Sequence, residues 1–297
     1  QRPLPEGTVT LGERMRSLGY ITGVIGKWGN GGPGSVGEPR HMGFDFSYGY
    51  LCQRQAHNFY PTHMWRNGSR EDLAGNEPGN LTGAHYAQDL FIKETLAFVD
   101  QHQDRPFFLY LPYTIPHVAL QTTDEDIAPY RGVFEETPYQ GDRGYLKHPT
   151  PRAAYAAMIS RLDRDVGVLL SRLRELGLDR DTLVIFTSDN GPTYDVGGAD
   201  TAFFGSTAGL RGRKGSVWEG GIRVPLIARW PGHIAPATES SHACATHDLF
   251  PTIIEAAEGE VAVELDGISF LPTLLGSGDQ RKPAHLYWDF PGYGGQQ

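Results

Sequence analysis

The sequence predicts an α/β fold with a mostly parallel sheet and helices on both faces. Segments whose apolar residues recur at helical spacing alternate along the chain with short apolar runs typical of buried strands. The 297 residues are 39% hydrophobic and 21% charged, the profile of a globular protein with a substantial core. Strands joined by helices form right-handed crossovers, so their carboxyl ends meet at one edge of the sheet.

Capping residues and periodicity define the predicted elements in order. Thr8 or Thr10 caps a first helix, in which Leu11, Met15 and Leu18 share one face before Gly19 ends it. The predicted helices run over residues 10–19, 85–101, 153–176 and 248–257. The predicted strands run over residues 20–25, 106–113, 183–187, 222–228 and 284–288.

Two stretches have neither helical nor strand periodicity. Residues 29–80 are rich in Gly, Pro, Asn, His and aromatic residues, and residues 118–150 are polar and rich in proline. Both are predicted to be loop excursions over the strand ends. The simplest organisation is therefore one α/β domain over residues 1–297.

Charge and cysteine content exclude several classes of protein. A net charge of −9 without a basic stripe argues against nucleic acid as a partner. No apolar stretch approaches the roughly 20 residues that a membrane span needs. Cys52 and Cys244 allow one disulfide at most and lack zinc-site spacing, so we expect both to be small buried residues.

Asp189 and Asn190 directly follow the apolar run 183–186 and therefore leave the end of a predicted buried strand side by side. The Asp-Asn-Gly sequence alone is a common turn. However, a carboxylate and a carboxamide also offer hard oxygen ligands to a divalent cation, and Lys214 downstream is able to face an anion on that cation. This combination predicts a metal-assisted site for an oxyanion ester.

The longer pattern resembles the sulfatase family of the alkaline-phosphatase superfamily, in particular arylsulfatases. The motif Ser188-Asp189-Asn190-Gly191 is similar to the family's metal corner, and residues 213–225 are similar to its Gly-Lys-Gly-x-x-x-Glu-Gly-Gly-x-Arg-x-Pro loop. Arg213 replaces the first glycine of that loop. The resemblance implies an alkaline-phosphatase-like fold, calcium at Asp189 and Asn190, and a catalytic role for Lys214. We expect Glu219 to be structural, accepting backbone donors.

Lys27 directly follows the first predicted strand, at the same sheet edge as Asp189. A surface lysine is the alternative. The segment resembles the sulfatase Gly-Lys-Trp-His motif, which implies a catalytic, sulfate-binding Lys27, but Gly29 stands where that motif has histidine. A sub-group of the family with Gly-Lys-Trp-Gly is also similar at residues 43–45 and 53–57.

Two histidines are candidates for substrate contact. His117 follows a predicted strand, where it is able to donate to a sulfate ester oxygen or to protonate the leaving alkoxide. The alternative is a solvent-exposed loop histidine, but its Pro-His context resembles a family motif that implies a catalytic role. His57 is a substrate-binding candidate, and simple packing is its alternative. We expect Lys27, His117, Asp189, Asn190 and Lys214 to converge on one cleft.

The resemblance also implies a formylglycine nucleophile, made from a cysteine in a Cys-x-Pro-x-Arg motif. Neither cysteine fits this motif. We therefore expect an internal fragment, truncated at both ends, whose N-terminal nucleophile segment is missing. Alone it is expected to be inactive and to bind calcium weakly or not at all.

The function implied is that of a sulfuric ester hydrolase acting on a small-molecule or glycan sulfate ester. The alternatives are a phosphomonoester or phosphonate hydrolase of the same superfamily, or an inactive module that binds sulfated glycans. Family resemblance implies a periplasmic or secreted location.

Overall fold

The structure, a computed structural model, describes residues 3–260 and 265–292 of the chain. Contacts within the chain divide it into two compact units. The first unit comprises Gln1–Arg172 and Asp195–Asp200, and the second comprises Leu173–Tyr194 and Thr201–Gln297. The single domain expected from the sequence stays a prediction.

The described residues contain seven α-helices and seven strands. The helices are α1 (Leu11–Ser17), α2 (Ala87–Gln101), α3 (Asp124–Ile127), α4 (Pro151–Glu175), α5 (Glu219–Ile222), α6 (Leu249–Ala256) and α7 (Leu271–Leu275). The strands are β1 (Ile21–Lys27), β2 (Phe46–Tyr50), β3 (His63–Arg66), β4 (Ser69–Asp72), β5 (Phe107–Tyr110), β6 (Val184–Thr187) and β7 (Leu226–Arg229). Short 3-10 turns cover Pro39–His41, Gln55–His57, Ala128–Tyr130 and Thr246–Asp248.

The first unit contains a mixed sheet with the strand order β4-β3-β2-β1-β5. Strand β1 pairs in parallel with both β2 and β5, and the pairings of β3 with β2 and β4 are antiparallel. The five middle residues of β1 are buried, as expected for a central strand. The predicted α/β fold class is confirmed, with a sheet that is mixed because β3 and β4 form a hairpin.

Residues 29–80 are not only loops, so that prediction is wrong for β2, β3 and β4. The hairpin turn is Asn67-Gly68, and both residues have positive φ, of 50° and 81°. A two-residue Asn-Gly turn matches the twist of antiparallel strands and is a strong hairpin signal, which the lack of sustained periodicity concealed. Strand β2 was missed because its buried Tyr48 and Tyr50 alternate with the small residues Ser47 and Gly49, which do not produce a clear apolar strand pattern.

Helices α1 and α2 pack on this sheet much as the sequence predicts. Thr10 caps α1, and its side chain and that of Glu13 form a reciprocal capping box. In α2, Phe91 and Phe98 are buried, and the Phe98 ring lies 5.9 Å from that of Phe46 on β2. The predicted helix over 85–101 is therefore present as α2, and it packs its aromatic side chains toward the sheet.

Helix α4 buries charge as well as apolar surface. Arg161 is 6% exposed and forms ion pairs with Asp126 and Asp165, which are also buried. Arg161 Nη2 also contacts the exposed Asp89 carboxylate at 2.5 Å. These partners satisfy a guanidinium that would otherwise be costly to bury.

In the second unit, β6 and β7 pair in antiparallel fashion. The strand predicted over 222–228 begins only at Leu226, because the preceding Glu219–Ile222 forms α5. The strand predicted over 284–288 is absent, since none of the described strands pairs with that segment and Tyr287 is 68% exposed.

Cys52 is exposed and Cys244 is half-buried, so the prediction that both are buried is wrong. The described helices include none that is long and apolar enough to cross a membrane.

Candidate functional site

Lys27 is the last residue of β1 and lies beside the segment that leads to His117. Its backbone N–H donates to the carbonyl oxygen of Pro112 at 2.8 Å, just beyond the end of β5. The intervening Tyr113 side chain contacts Thr95 Oγ1 at 2.7 Å, and burial raises the pKa of this phenol. The parallel strands β1 and β5 thus bring Lys27 and the loop that carries His117 to the same sheet edge.

His57 and His117 stack on each other. Their ring centroids are 4.7 Å apart, and the ring planes differ by 9°. Tyr145 contacts both rings, with centroid distances of 5.5 Å to His57 and 6.2 Å to His117. The two predicted histidines therefore form, with Tyr145, a group that we call the histidine group. Sequence reasoning missed Tyr145, although it is an aromatic residue within a polar excursion.

The tautomer of His117 follows from its contact with the neighbouring peptide. His117 Nδ1 contacts the carbonyl oxygen of Val118, and because that oxygen only accepts, Nδ1 carries the proton. In the neutral ring Nε2 is then the basic atom. The loop backbone is fixed by a hydrogen bond from His117 N–H to the Thr114 carbonyl oxygen at 2.9 Å.

Residues 118–150 approach the histidine group through Tyr145 and are anchored nearby by His148. The backbones of Tyr139 and His148 exchange hydrogen bonds of 2.9 and 3.0 Å. His148 Nδ1 accepts a hydrogen bond from the backbone N–H of Thr150 at 3.1 Å. Burial lowers the pKa of His148, so its ring is held neutral.

Asp189 and Asn190 lie just beyond the end of β6, separated from it by Ser188, as predicted. Asp189 is exposed, and Asn190 is half-buried. The Asn190 amide nitrogen donates to the Gly191 carbonyl oxygen at 2.9 Å, which leaves Oδ1 as the atom that a cation would use. Ser188 Oγ donates to the Asn190 carbonyl oxygen at 2.9 Å and so fixes the turn.

The loop that carries Lys214 is bonded to this turn by its backbone. Lys214 N–H donates to the Pro192 carbonyl oxygen at 2.8 Å, and Gly191 N–H donates to the Gly221 carbonyl oxygen at 2.9 Å. The approach is so close that a Cβ at Gly191 would lie 2.0 Å from the Gly220 oxygen. We call Asp189, Asn190 and Lys214 the metal-corner group. The prediction that it converges with Lys27 and His117 on one cleft stays a prediction.

Three other charged side chains in and beside the loop, those of Arg211, Glu219 and Arg223, have structural contacts. Glu219 accepts a hydrogen bond from Arg223 Nη1 at 3.2 Å, in place of the backbone donors expected from the sequence. The Arg211 guanidinium lies 3.6 Å from the ring centroid of Trp218.

The donor chemistry of the metal corner fits calcium in part. Its carboxylate and amide oxygens are the hard ligands that calcium prefers, but calcium takes about six to eight such ligands. No group of three or more His, Cys, Asp and Glu residues suited to a metal occurs within 3–260 and 265–292. Asp189 and Asn190 would therefore supply only part of a coordination shell.

A model of the sulfatase family matches residues 2–259. Arylsulfatase A of Homo sapiens is 32% identical to this chain, over 98% of the chain and 55% of that protein. The Bos taurus enzyme is 31% identical, with the same coverage. This chain thus spans about half the length of these curated relatives.

Among solved structures, that of Ps i-CgsB in complex with k-i-k-neocarrahexaose is similar, with a TM-score of 0.73 and 29% identity. The similarity covers 92% of this chain and 59% of the other. The expected sulfatase-type fold is confirmed. Because the family match extends over most of the chain and the similarity in structure covers nearly all of it, the chain belongs to the sulfatase family.

Proposed function

We propose that this chain acts within a sulfuric ester hydrolase of the arylsulfatase type. The observation that carries the proposal is the backbone bonding between the Asp189-Asn190 turn and the loop of Lys214. It brings two hard oxygen ligands and a cationic side chain onto adjoining segments of the second unit. Such a combination suits an anionic ester bound to a divalent cation.

In the metal-corner group, Asp189 and Asn190 would hold calcium, which when bound would polarise an oxygen of the sulfate group. Lys214 supplies a fixed positive charge that offsets the negative charge developing on the sulfuryl oxygens. A preorganised charge of this kind stabilises the transition state more than the ground state.

In the histidine group, His117 is the candidate for proton transfer. Its Nδ1 proton is held by the Val118 carbonyl oxygen, so when the ring is protonated to the imidazolium, Nε2–H is the group that donates a proton to the leaving oxygen and the neutral ring remains. His57 stacks on this ring and is proposed to contact the substrate. Lys27, at the same sheet edge, is proposed to bind the sulfate group.

The nucleophile is proposed to be the formylglycine typical of the family, supplied by a segment outside these 297 residues. Cys52 precedes Gln-Arg-Gln and Cys244 precedes Ala-Thr-His, so neither fits the family's modification motif. The substrate is a sulfate ester of a small molecule or a glycan. A periplasmic or secreted location is part of the same proposal.

The test is hydrolysis of p-nitrophenyl sulfate by the complete gene product, produced together with an enzyme that generates formylglycine. Lys214→Ala is expected to lower kcat/KM on the order of a hundredfold, the usual loss for one preorganised contact. Lys93→Ala is the matched control, because Lys93 is an exposed lysine of α2 and is expected to leave the rate unchanged.

Two results would contradict the proposal. An unchanged rate in Lys214→Ala would remove Lys214 from the reaction. Faster cleavage of p-nitrophenyl phosphate than of the sulfate by the parent enzyme would instead assign the chain to phosphoester chemistry.

A further inference from the structure

The loops that carry His57 and His117 are joined by one buried side chain, that of Gln121. Gln121 is fully buried, at 0% exposure, and lies four residues after His117. The Gln121 side chain bonds to the two residues that directly follow His57. It is therefore a link between two loops that are far apart in sequence.

Both polar atoms of the Gln121 amide have partners. Its Oε1 accepts a hydrogen bond from the backbone N–H of Phe59 at 2.8 Å. Its Nε2 donates to Asn58 Oδ1 at 3.1 Å and to the carbonyl oxygen of Asn80 at 2.8 Å. A buried amide with all these bonds formed defines a single arrangement, because each broken bond would leave a desolvated polar group.

Backbone contacts extend the same link to either side of Gln121. Ala119 N–H donates to the carbonyl oxygen of His57 at 3.3 Å. The Tyr86 hydroxyl donates to the Gln121 carbonyl oxygen at 2.9 Å, and the Tyr60 hydroxyl donates to that of Thr122 at 3.2 Å. The segment 119–122 is thus tied to the His57 loop and to the start of α2.

The stacking of His57 on His117 requires that the two loops be held together. Two imidazole rings on separate loops remain 4.7 Å apart only if both loop backbones are held in register. Site side chains need positions accurate to about 0.5 Å, and buried hydrogen bonds behind them provide that accuracy.

We propose that Gln121 is a positioning residue for the histidine group, which it serves by holding the His57 loop against the His117 loop. The proposal rests on the proposed function, in which His117 Nε2 faces the sulfate ester. Gln121 touches no reacting atom in this scheme and acts through the two histidines.

The experiment compares Gln121→Met with Gln88→Met. Gln88 is an equally buried amide whose Nε2 donates to Asp165 Oδ2 at 2.9 Å, in the contact between α2 and α4. Both variants lose a buried amide, but only Gln121 bonds to the His57 loop. The ring signals of His57 and His117 are followed by NMR in the 15N-histidine-labelled chain and are assigned with His57→Gln and His117→Gln. Inorganic sulfate is then titrated.

Gln121→Met is expected to shift both ring signals and to weaken sulfate binding by about tenfold, the lower end of the loss when orienting hydrogen bonds are removed. Gln88→Met is expected to leave the ring signals and the sulfate affinity as in the parent. Unchanged His57 and His117 signals in folded Gln121→Met would overturn the proposal.

Two further outcomes are informative. If Gln121→Met does not fold, Gln121→Glu retains the acceptor for Phe59 N–H and loses at least one of the two donations, so a His57 signal unchanged in this variant would overturn the proposal. If sulfate moves neither ring signal in the parent, the proposed function is contradicted. The ring signals of the Gln121 variants without sulfate still decide whether Gln121 positions the pair.

Discussion

The histidine group in the first unit depends on buried side chains for its arrangement, whereas the metal-corner group in the second depends on backbone contacts made by glycines. Gln121 bonds to the His57 loop through its amide. By contrast, the Asp189-Asn190 turn meets the Lys214 loop where Gly191 leaves no room for a side chain. The two groups should therefore be sensitive to opposite changes, loss of a side chain in the first and gain of one in the second.

The buried network of the first unit extends from Gln121 to Arg161. The Tyr86 hydroxyl donates to Gln121, and the Arg161 guanidinium lies 5.7 Å from the Tyr86 ring centroid. Arg161→Met would leave the buried Asp126 and Asp165 carboxylates short of a partner. We expect a loss of about 3–5 kcal/mol in the free energy of unfolding, measured by urea titration with circular dichroism.

Arg164→Met is the matched control for this change. Arg164 pairs with the same Asp126 at 2.8 Å, but its side chain is 50% exposed. Solvent screens an exposed pair, so a loss below about 1 kcal/mol is expected. Equal losses in the two variants would contradict the importance of burial in this network.

Gly191→Ala tests the metal-corner group. Its Cβ would meet a backbone oxygen, which is unable to rotate away, so the turn and the Lys214 loop must separate. We expect destabilisation by about 1–3 kcal/mol. Hydrogen exchange of the Lys214 amide, which bonds to Pro192, should accelerate, and unchanged protection would refute the prediction.

The control is Gly167→Ala, on the exposed face of α4. A Cβ there meets nothing within 4 Å. Alanine has the higher helix propensity, so this variant should be more stable by about 0.5–1 kcal/mol. The pair of variants separates steric contact from the general effect of replacing a glycine.

A smaller effect is expected when pH falls around His148, which anchors the segment of Tyr145. Burial lowers the pKa of His148, so the unfolded chain takes up a proton before the folded one does. The stability that neutral His148 contributes is fully present at pH values above the ordinary histidine pKa of about 6.5. It is lost as the pH falls through the lowered pKa of the folded state.

For one proton the loss is at most about 1.4 kcal/mol per pH unit. The hydrogen-exchange protection of the Tyr139 amide, corrected for its intrinsic rate, should therefore fall as the pH is lowered from 7.5 to 5. His148→Gln should abolish the pH dependence. If this variant retained it, another group would be responsible.

Much of the helix and strand pattern was predictable, because caps and apolar periodicity are local signals. Thr10 and the apolar face of α2 are examples. Strand β2 and the β3–β4 hairpin were missed because short strands with glycines and tyrosines lack sustained alternation. Arg161 and Asp165 lie on the buried face of α4, where helical periodicity alone predicts apolar residues. Their burial is possible because the two side chains form an ion pair.

Local motifs were enough to single out Asp189, Asn190 and the Lys214 loop, which the structure places on segments bonded to each other, and their roles stay predictions. Tyr145 and Gln121 were missed because their importance arises from partners distant in sequence. Gln121 is separated from Phe59 by 62 residues. A single sequence carries no signal for such a pairing.

This separation has a consequence for how the protein matures. The His57 loop is complete before Gln121 is synthesised, so the histidine pair is able to form only after a long stretch of chain has closed. Closing a longer loop costs only about 0.6 kcal/mol for each doubling of its length. Distant contacts of this kind slow folding far more than they weaken the folded state, so the histidine pair should form later than local structure such as helix α1 and the β3–β4 hairpin.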